Sequence, residues 1–262
     1  MNDVRLTLRQ AGYGLLVLSR SARVLVFTVI FPIVLLVMFG SIFNKNGGGT
    51  TTLHSGQKIA LEAYFTGGIL AYAIAMNAFT SLAISLTTQR ENGLLKRFRG
   101  TPVPAWTFLA GLIVRSIAVI AAMSVILLAI AAVAYDVTLT PTRIAYVALF
   151  VVLGTAALAA LGIALTAFTT SADSAAAIAP FGIVILSFIS GVFIQTSALP
   201  TALVDVGRVL PLAHLADGMQ AALVSGPPHL SGDNVLSLAI WGAAGIWIAA
   251  RRFRWQPRAA AA

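Results

Sequence analysis

The densest group of charged side chains is a loop-like stretch, residues 89–102, which contains one carboxylate and four basic groups. On a helix, Leu94, Leu95 and Phe98 fall close together on one face, and Pro102 follows as a stop signal. This pattern predicts a short amphipathic helix suited to docking on a partner protein. A solvated basic loop that only sets membrane topology explains the charges equally well.

A second group of candidates consists of polar side chains inside long apolar runs. Asn77 lies midway along one such run, and Ser81 and Ser85 follow at steps of four residues on the same helical face. Ser187 lies in a later run. Polar groups within membrane segments mark a substrate path, but small polar residues also let helices pack closely. Arg115, inside another run, is interpreted as reaching the membrane surface with its long side chain.

The residue patterns of common catalytic sites are missing. The sequence has no phosphate-binding loop of the type G-x-x-x-x-G-K-[ST], no H-E-x-x-H and no G-x-S-x-G. It has no cysteine, and its three histidines, His54, His214 and His229, are far apart in sequence, so we interpret them as ordinary polar residues rather than metal ligands. The chain is therefore not expected to be an enzyme or to bind a cofactor itself.

Composition places the chain in a membrane. Apolar residues make up 59% of its 262 residues and charged residues only 10%, whereas soluble domains carry about 25% charged residues. The net charge of +9 does not indicate a nucleic-acid partner, because the basic residues lie at the edges of apolar runs, where they set topology. The expected neighbours are membrane lipids.

Six runs are long enough, or nearly so, for membrane-spanning helices, which need about 20 apolar residues. The predicted spans are 24–43, 66–88, 106–135, 144–168, 175–195 and 236–250. The predicted fold is an all-α membrane protein, a single domain over residues 1–262.

The basic residues predict the orientation. With six spans, the N-terminal segment, the loop 89–102 and the C-terminal tail share one side and carry twelve of the seventeen lysines and arginines; the opposite side carries four. This asymmetry places both termini in the cytoplasm of a multi-pass protein in the cell membrane.

Two further segments have helical patterns. Residues 1–23 place Val4, Leu8 and Leu15 on one face and the arginines on another, which predicts an interfacial helix; a disordered basic tail is the alternative. The segment between the fifth and sixth spans, 195–234, carries many leucines, which predicts short external or re-entrant helices that need protein to shield their backbone.

Two motifs carry a family resemblance. Arg90-Glu91-Asn92-Gly93, followed by Leu95 to Arg99 and Thr101-Pro102, resembles the loop of ABC-2 type ABC transporter permeases, including daunorubicin-resistance-like exporters of drugs or lipids. The segment Leu210-Pro211-Leu212-Ala213-His214 resembles the family's region between the fifth and sixth spans.

The resemblance implies a transport subunit that is driven by another chain. Two copies of a cytoplasmic ATPase would bind ATP and Mg, and a second permease, identical or related, would complete a dimer. Glu91 and Gly93 would open a coupling helix that rests on the ATPase. The implied coupling residues are Glu91, Asn92, Gly93, Leu94, Leu95, Lys96, Arg97, Phe98, Arg99 and Pro102. The second and fifth spans line the substrate path in this family, which implies roles for Asn77, Phe79, Ser187 and Phe188.

Two functions therefore remain open at the level of sequence. The first is the permease subunit of an ATP-driven exporter of amphipathic molecules. The alternative is a membrane anchoring or assembly protein that recruits a cytoplasmic partner without transport.

Overall fold

Helices dominate the chain, because inside a bilayer the backbone must satisfy its own hydrogen bonds. The computed structural model describes Gly12 and residues 29–45, 49–53, 56–100, 104–224, 226 and 230–253. Except for Gly12, the predicted interfacial helix 1–23 lies outside these residues. Pro102 of the predicted coupling loop also lies outside them. The helices are α1 (Phe31–Lys45), α2 (Leu61–Ile74), α3 (Leu82–Glu91), α4 (Leu94–Arg99), α5 (Ala105–Tyr135), α6 (Pro141–Leu165), α7 (Ala172–Ile189), α8 (Thr201–Gly207), α9 (Pro211–Ala222) and α10 (Gly232–Arg252).

Among the described residues, five helices are long and apolar enough to cross a membrane. They are Leu61–Glu91, Trp106–Tyr135, Pro141–Leu165, Ala172–Ile189 and Gly232–Arg252. The helix at the first predicted span contributes the shorter apolar stretch Phe31–Phe43, and residues 24–28 of that span are not described. The membrane character is thus confirmed, whereas the count of six spans stays a prediction.

The helix ends differ from the predicted spans. The Leu61–Glu91 helix extends beyond the predicted 66–88 at both ends and contains a π-helical turn at Ala75–Ser81. The fifth predicted span, 175–195, ends early at Ile189. Its chain turns at Gly191, whose φ of 72° lets the Val192 amide donate back to the Ser187 carbonyl, a common glycine stop at a helix end. The Tyr64 hydroxyl and the Gln220 side-chain amide then donate to the Gly191 carbonyl and hold the turn in place.

Local sequence signals explain several helix starts. Thr140 caps α6 by accepting from the Arg143 amide, and Pro141 occupies the first turn, where its missing N–H costs nothing. Ser171 and Ser174 form a reciprocal capping box at the start of α7. Between α1 and α2, strands β1 (Thr50–Thr52) and β2 (Lys58–Ala60) form a short antiparallel hairpin in which Thr51 faces Ile59.

The core centres on the Leu61–Glu91 helix, α6 and α9. Helix α9 packs against α2, α6 and α10, and its Leu212, Leu215 and Met219 are fully buried. A Cβ on Gly67 would approach the Gln220 Cα to 2.8 Å, so α2 and α9 meet backbone to backbone. The predicted short helices between the last two spans are therefore present as α8 and α9, and α9 is integrated into the bundle.

The two ends of the bundle hold different segments. At one end, Trp106, Ile163 and Phe253 line a common apolar cavity, so the start of α5 and the ends of α6 and α10 lie together. At the other end, a second cavity is lined by Thr52 of the hairpin and by Val204 and Arg208 in the region of α8. Arg90, near the end of α3, contacts the end of α6. The loop that follows α3 therefore shares the first end with the end of α10.

Candidate functional site

The predicted loop helix is present as α4, separated from α3 by only Asn92 and Gly93. The Asn92 amide donates to the Thr88 carbonyl at 3.0 Å, and the Gly93 amide donates to the Arg90 carbonyl at 3.1 Å. Gly93 has a φ of 69°, a left-handed conformation that glycine adopts without steric cost. Glu91 was expected to open this helix. The structure instead makes it the last residue of α3, and the first turn of α4 holds no acid.

Helix α4 turns two of its three apolar side chains, Leu95 and Phe98, toward the rest of the chain. Leu95 is 1% exposed, and the Phe98 ring lies 4.7 Å from the ring of Phe108 on α5. Leu95 therefore cannot fill a groove on a partner, as the pattern suggested, because it is already buried within this chain. Leu94 is 51% exposed, and Lys96 and Arg97 are exposed beside it. The side chain of Arg99 lies outside the described residues.

Arg90 is a functional candidate that sequence reasoning missed. Its side chain is 4% exposed, and its guanidinium donates to the Thr166 and Thr169 carbonyls, both at 2.7 Å. These carbonyls follow the end of α6, where backbone acceptors lack helical partners. The sequence places Arg90 in the family motif but does not reveal that its side chain is buried, since its partners lie 76 and 79 residues away.

Glu91 makes the complementary contact. Its Oε1 accepts a hydrogen bond of 2.9 Å from the backbone amide of Ala172, the first residue of α7. A carboxylate at a helix N-terminus satisfies a free N–H and the positive end of the helix dipole. Adjacent side chains at the end of α3 thus hold the end of one helix and the start of the next.

The polar residue Asn77 lies within the π-helical turn. Its side chain is 8% exposed, and Phe79 in the same turn is partly buried. Gly162 of α6 approaches this turn so closely that a Cβ would lie 2.7 Å from the Phe79 carbonyl oxygen. Single π turns inside α-helices occur frequently at functional sites, so this irregularity supports a functional role for the segment around Asn77.

The two candidates on α7 differ in burial. Ser187 is fully buried and donates to the Ile183 carbonyl at 2.7 Å. Phe188 is 45% exposed, and its ring lies 5.6 Å from that of Phe193. Phe193 in turn lies 6.1 Å from Phe39 of α1. The structure thus connects Phe188 with aromatic rings beyond its own helix, whereas Ser187 belongs to the packing.

A polar network ties α9 to α10. Asn234 donates to the Asp217 carboxylate at 2.8 Å, and its Oδ1 lies 2.9 Å from Nδ1 of His214. Nε2 of His214 lies 2.8 Å from the Arg208 carbonyl oxygen. Within the described part of the chain, no group of three or more His, Cys, Asp or Glu is placed to hold a metal. We therefore interpret this network as a connection between α9 and α10.

Comparison with known proteins agrees with this architecture. The chain is similar to a Bacillus subtilis (strain 168) protein named "Putative transport permease YvfS", with 23% identity over 210 residues that cover 80% of this chain and 82% of that protein. The sequence profile described as ABC-2 type transporter matches residues 12–224, from the N-terminal segment to the end of the α9 region. With most of its length matched and five helices able to span a membrane, the chain belongs to the ABC-2 type transporter family.

Proposed function

We propose that the chain is the permease subunit of an ATP-driven exporter that moves amphipathic drug-like or lipid-like molecules out of the cytoplasm or the inner leaflet. A separate ATPase subunit, in two copies, binds ATP and Mg and supplies the energy. A second permease, identical or related, completes the membrane part. The protein lies in the cell membrane with both termini in the cytoplasm, and it has no nucleic-acid partner.

The observation that carries this proposal is the exposed surface of α4, namely Leu94, Lys96 and Arg97. An isolated helix of this length is unstable in water. Here Leu95 and Phe98 hold it against the chain, so its outer surface is ordered before a partner binds, which lowers the entropic cost of association. An apolar side chain with two cations beside it suits an apolar pocket with an acidic rim.

The substrate path is proposed along the Leu61–Glu91 helix and α7, which are in contact. Asn77 and Phe79 mark the π-helical turn, and Phe188 supplies an exposed aromatic ring. Apolar walls with a few polar groups suit amphipathic compounds. Ser187 contributes through packing, because its hydroxyl is buried and bonded within its own helix.

The test is purification of the native complex, with the partner chains identified by mass. We expect an ATPase with a phosphate-binding loop to copurify, and Leu94→Asp to weaken its affinity by about thirtyfold, as expected for the loss of an apolar anchor worth about 2 kcal/mol. Leu203→Asp is the matched control, because Leu203 is also an exposed leucine on a short helix.

Two outcomes would contradict the proposal. Undiminished ATPase with Leu94→Asp would remove α4 as the docking surface. A copurifying partner that lacks any nucleotide-binding motif would favour the anchoring function over transport.

A further inference from the structure

Arg90 and Glu91 contact opposite ends of two consecutive membrane helices. Arg90 binds carbonyls just after the end of α6, and Glu91 binds the first amide of α7. We infer that these residues form a clamp that transmits displacement of α4 to α7 during transport. This inference rests on the proposed function, and it assigns the two residues as positioning residues.

The charges of the clamp match the helix ends that they contact. The free carbonyls at a helix C-terminus carry partial negative charge and favour a cation, whereas the free amides at an N-terminus favour an anion. Arg90 and Glu91 supply these charges in that order. Hydrogen bonds with one ionised partner are shorter and stronger than neutral ones, which makes both contacts effective restraints.

The two contacts differ in strength. Arg90 is almost completely buried, so loss of its partners would leave a desolvated cation, which is very costly. Glu91 is exposed, and water competes for its carboxylate. Arg90 therefore provides a permanent attachment to α6, and Glu91 provides a weaker attachment to α7.

The helices at the two ends of the clamp also differ in packing. In an apolar stretch of 18 residues, 67% of the α6 residues are buried inside the chain, against 22% in the corresponding stretch of α7. A helix with few buried contacts can shift as a rigid body at lower cost than one in the core. Helix α6 is therefore the fixed support, and α7 is the helix that moves.

The connection to α4 is short and ordered. Only Asn92 and Gly93 separate α3 from α4, and both amides are hydrogen-bonded to carbonyls of α3. A force on exposed Leu94 therefore reaches Glu91 without being absorbed by a flexible linker. Because α7 also carries Phe188, the clamp connects the docking surface with the proposed substrate path.

The experiment compares Glu91→Ala with Glu91→Gln, because glutamine keeps an oxygen that can accept from the Ala172 amide. The complex with its ATPase is reconstituted in liposomes, and ATP hydrolysis and transport of a rhodamine dye are measured together. We expect Glu91→Ala to keep the ATPase bound and hydrolysing but to lower transport per ATP by about fivefold, the effect of losing one such hydrogen bond. Glu91→Gln should restore most of the coupling.

A second measurement does not depend on transport. The chain has no cysteine, so spin labels at Lys96→Cys and Asp173→Cys, both exposed, report the separation of α4 from α7 in the full chain in nanodiscs. We expect a narrow distance distribution with Glu91 or Gln at position 91 and a broad one with Ala. A narrow distribution with Glu91→Ala, or unchanged transport per ATP, would overturn the clamp. Absence of any ATPase from the wild-type complex would instead overturn the proposed function.

Discussion

At the residue scale, neighbours in sequence take different roles because successive side chains on a helix point about 100° apart. Ser187 faces the interior of the bundle and Phe188 faces outward. Leu95 packs inside, whereas Leu94 is exposed. Arg90 and Glu91 diverge in the same way toward α6 and α7. A functional assignment in this chain therefore belongs to a single side chain and cannot be extended to its neighbour.

This difference predicts distinct effects of two adjacent substitutions on α7. Phe188→Ala removes an exposed ring on the proposed substrate path, so we expect it to change which compounds are exported while the complex stays assembled. Ser187→Ala removes only a hydroxyl bonded within its own helix, so its export profile should match the wild type. Export of a panel of amphipathic dyes measures both. An identical profile for Phe188→Ala would show that the ring serves packing alone.

At the element scale, small residues set the distance between α6 and α10. A Cβ on Gly242 would lie 3.3 Å from the Ala157 Cα, and one on Gly245 would lie 2.8 Å from the Ala160 carbonyl carbon. Lipid is as apolar as a protein core, so close van der Waals contact, rather than exclusion of water, holds such helices together. The glycines permit that contact.

Gly245→Ala is therefore expected to force α6 and α10 apart. The added methyl group would clash with backbone, which cannot rotate away as a side chain can. Overpacking of this kind costs about 1–3 kcal/mol and should lower the thermal unfolding midpoint in detergent by roughly 5 °C. Gly182→Ala on α7 is the control, since nothing lies within 4 Å of its Cβ position. Equal midpoints for the two variants would contradict this account of the interface.

At the scale of the whole molecule, the charge asymmetry and the arrangement of the bundle favour the same topology. The loop after α3 and the end of α10 lie at one end, and both are rich in basic residues. The β1–β2 hairpin and the region of α8 meet around another cavity. Basic segments stay in the cytoplasm, so the end that carries α4 is expected to face inward.

Cysteine labelling tests this orientation directly, because the native chain has no cysteine to contribute background. Thr52→Cys and Leu94→Cys each place a thiol at an exposed position. In intact cells, a membrane-impermeant maleimide should label position 52 and leave position 94 unlabelled until the membrane is permeabilised. Labelling of both positions, or of position 94 alone, would contradict the predicted topology.

The amino-acid sequence determined the class of this protein. Long apolar runs with few charges favour the membrane interior, where the backbone N–H and C=O groups of such a run are satisfied within an α-helix. The loop around Gly93 resembled the family that the comparison then confirmed. The existence of α4 was also predictable, because Leu94, Leu95 and Phe98 recur with helical spacing among basic residues. Helix ends were predicted less well, as the early stop of α7 at Ile189 shows. Gly191 supplies a local stop signal there, but the apolar residues that continue past it were counted into the span, and only the structure shows Tyr64 and Gln220 bonded to its carbonyl.

Only the tertiary structure decided which faces of the helices are buried. A membrane helix is apolar all round, and its lipid-facing and core-facing sides have similar residues, so periodicity does not separate Ser187 from Phe188. For the same reason, the sequence did not predict the inward packing of Leu95 or the burial of Arg90. The partner of Glu91 lies 81 residues away, and only the packing of α3 against the α6–α7 junction brings the two together.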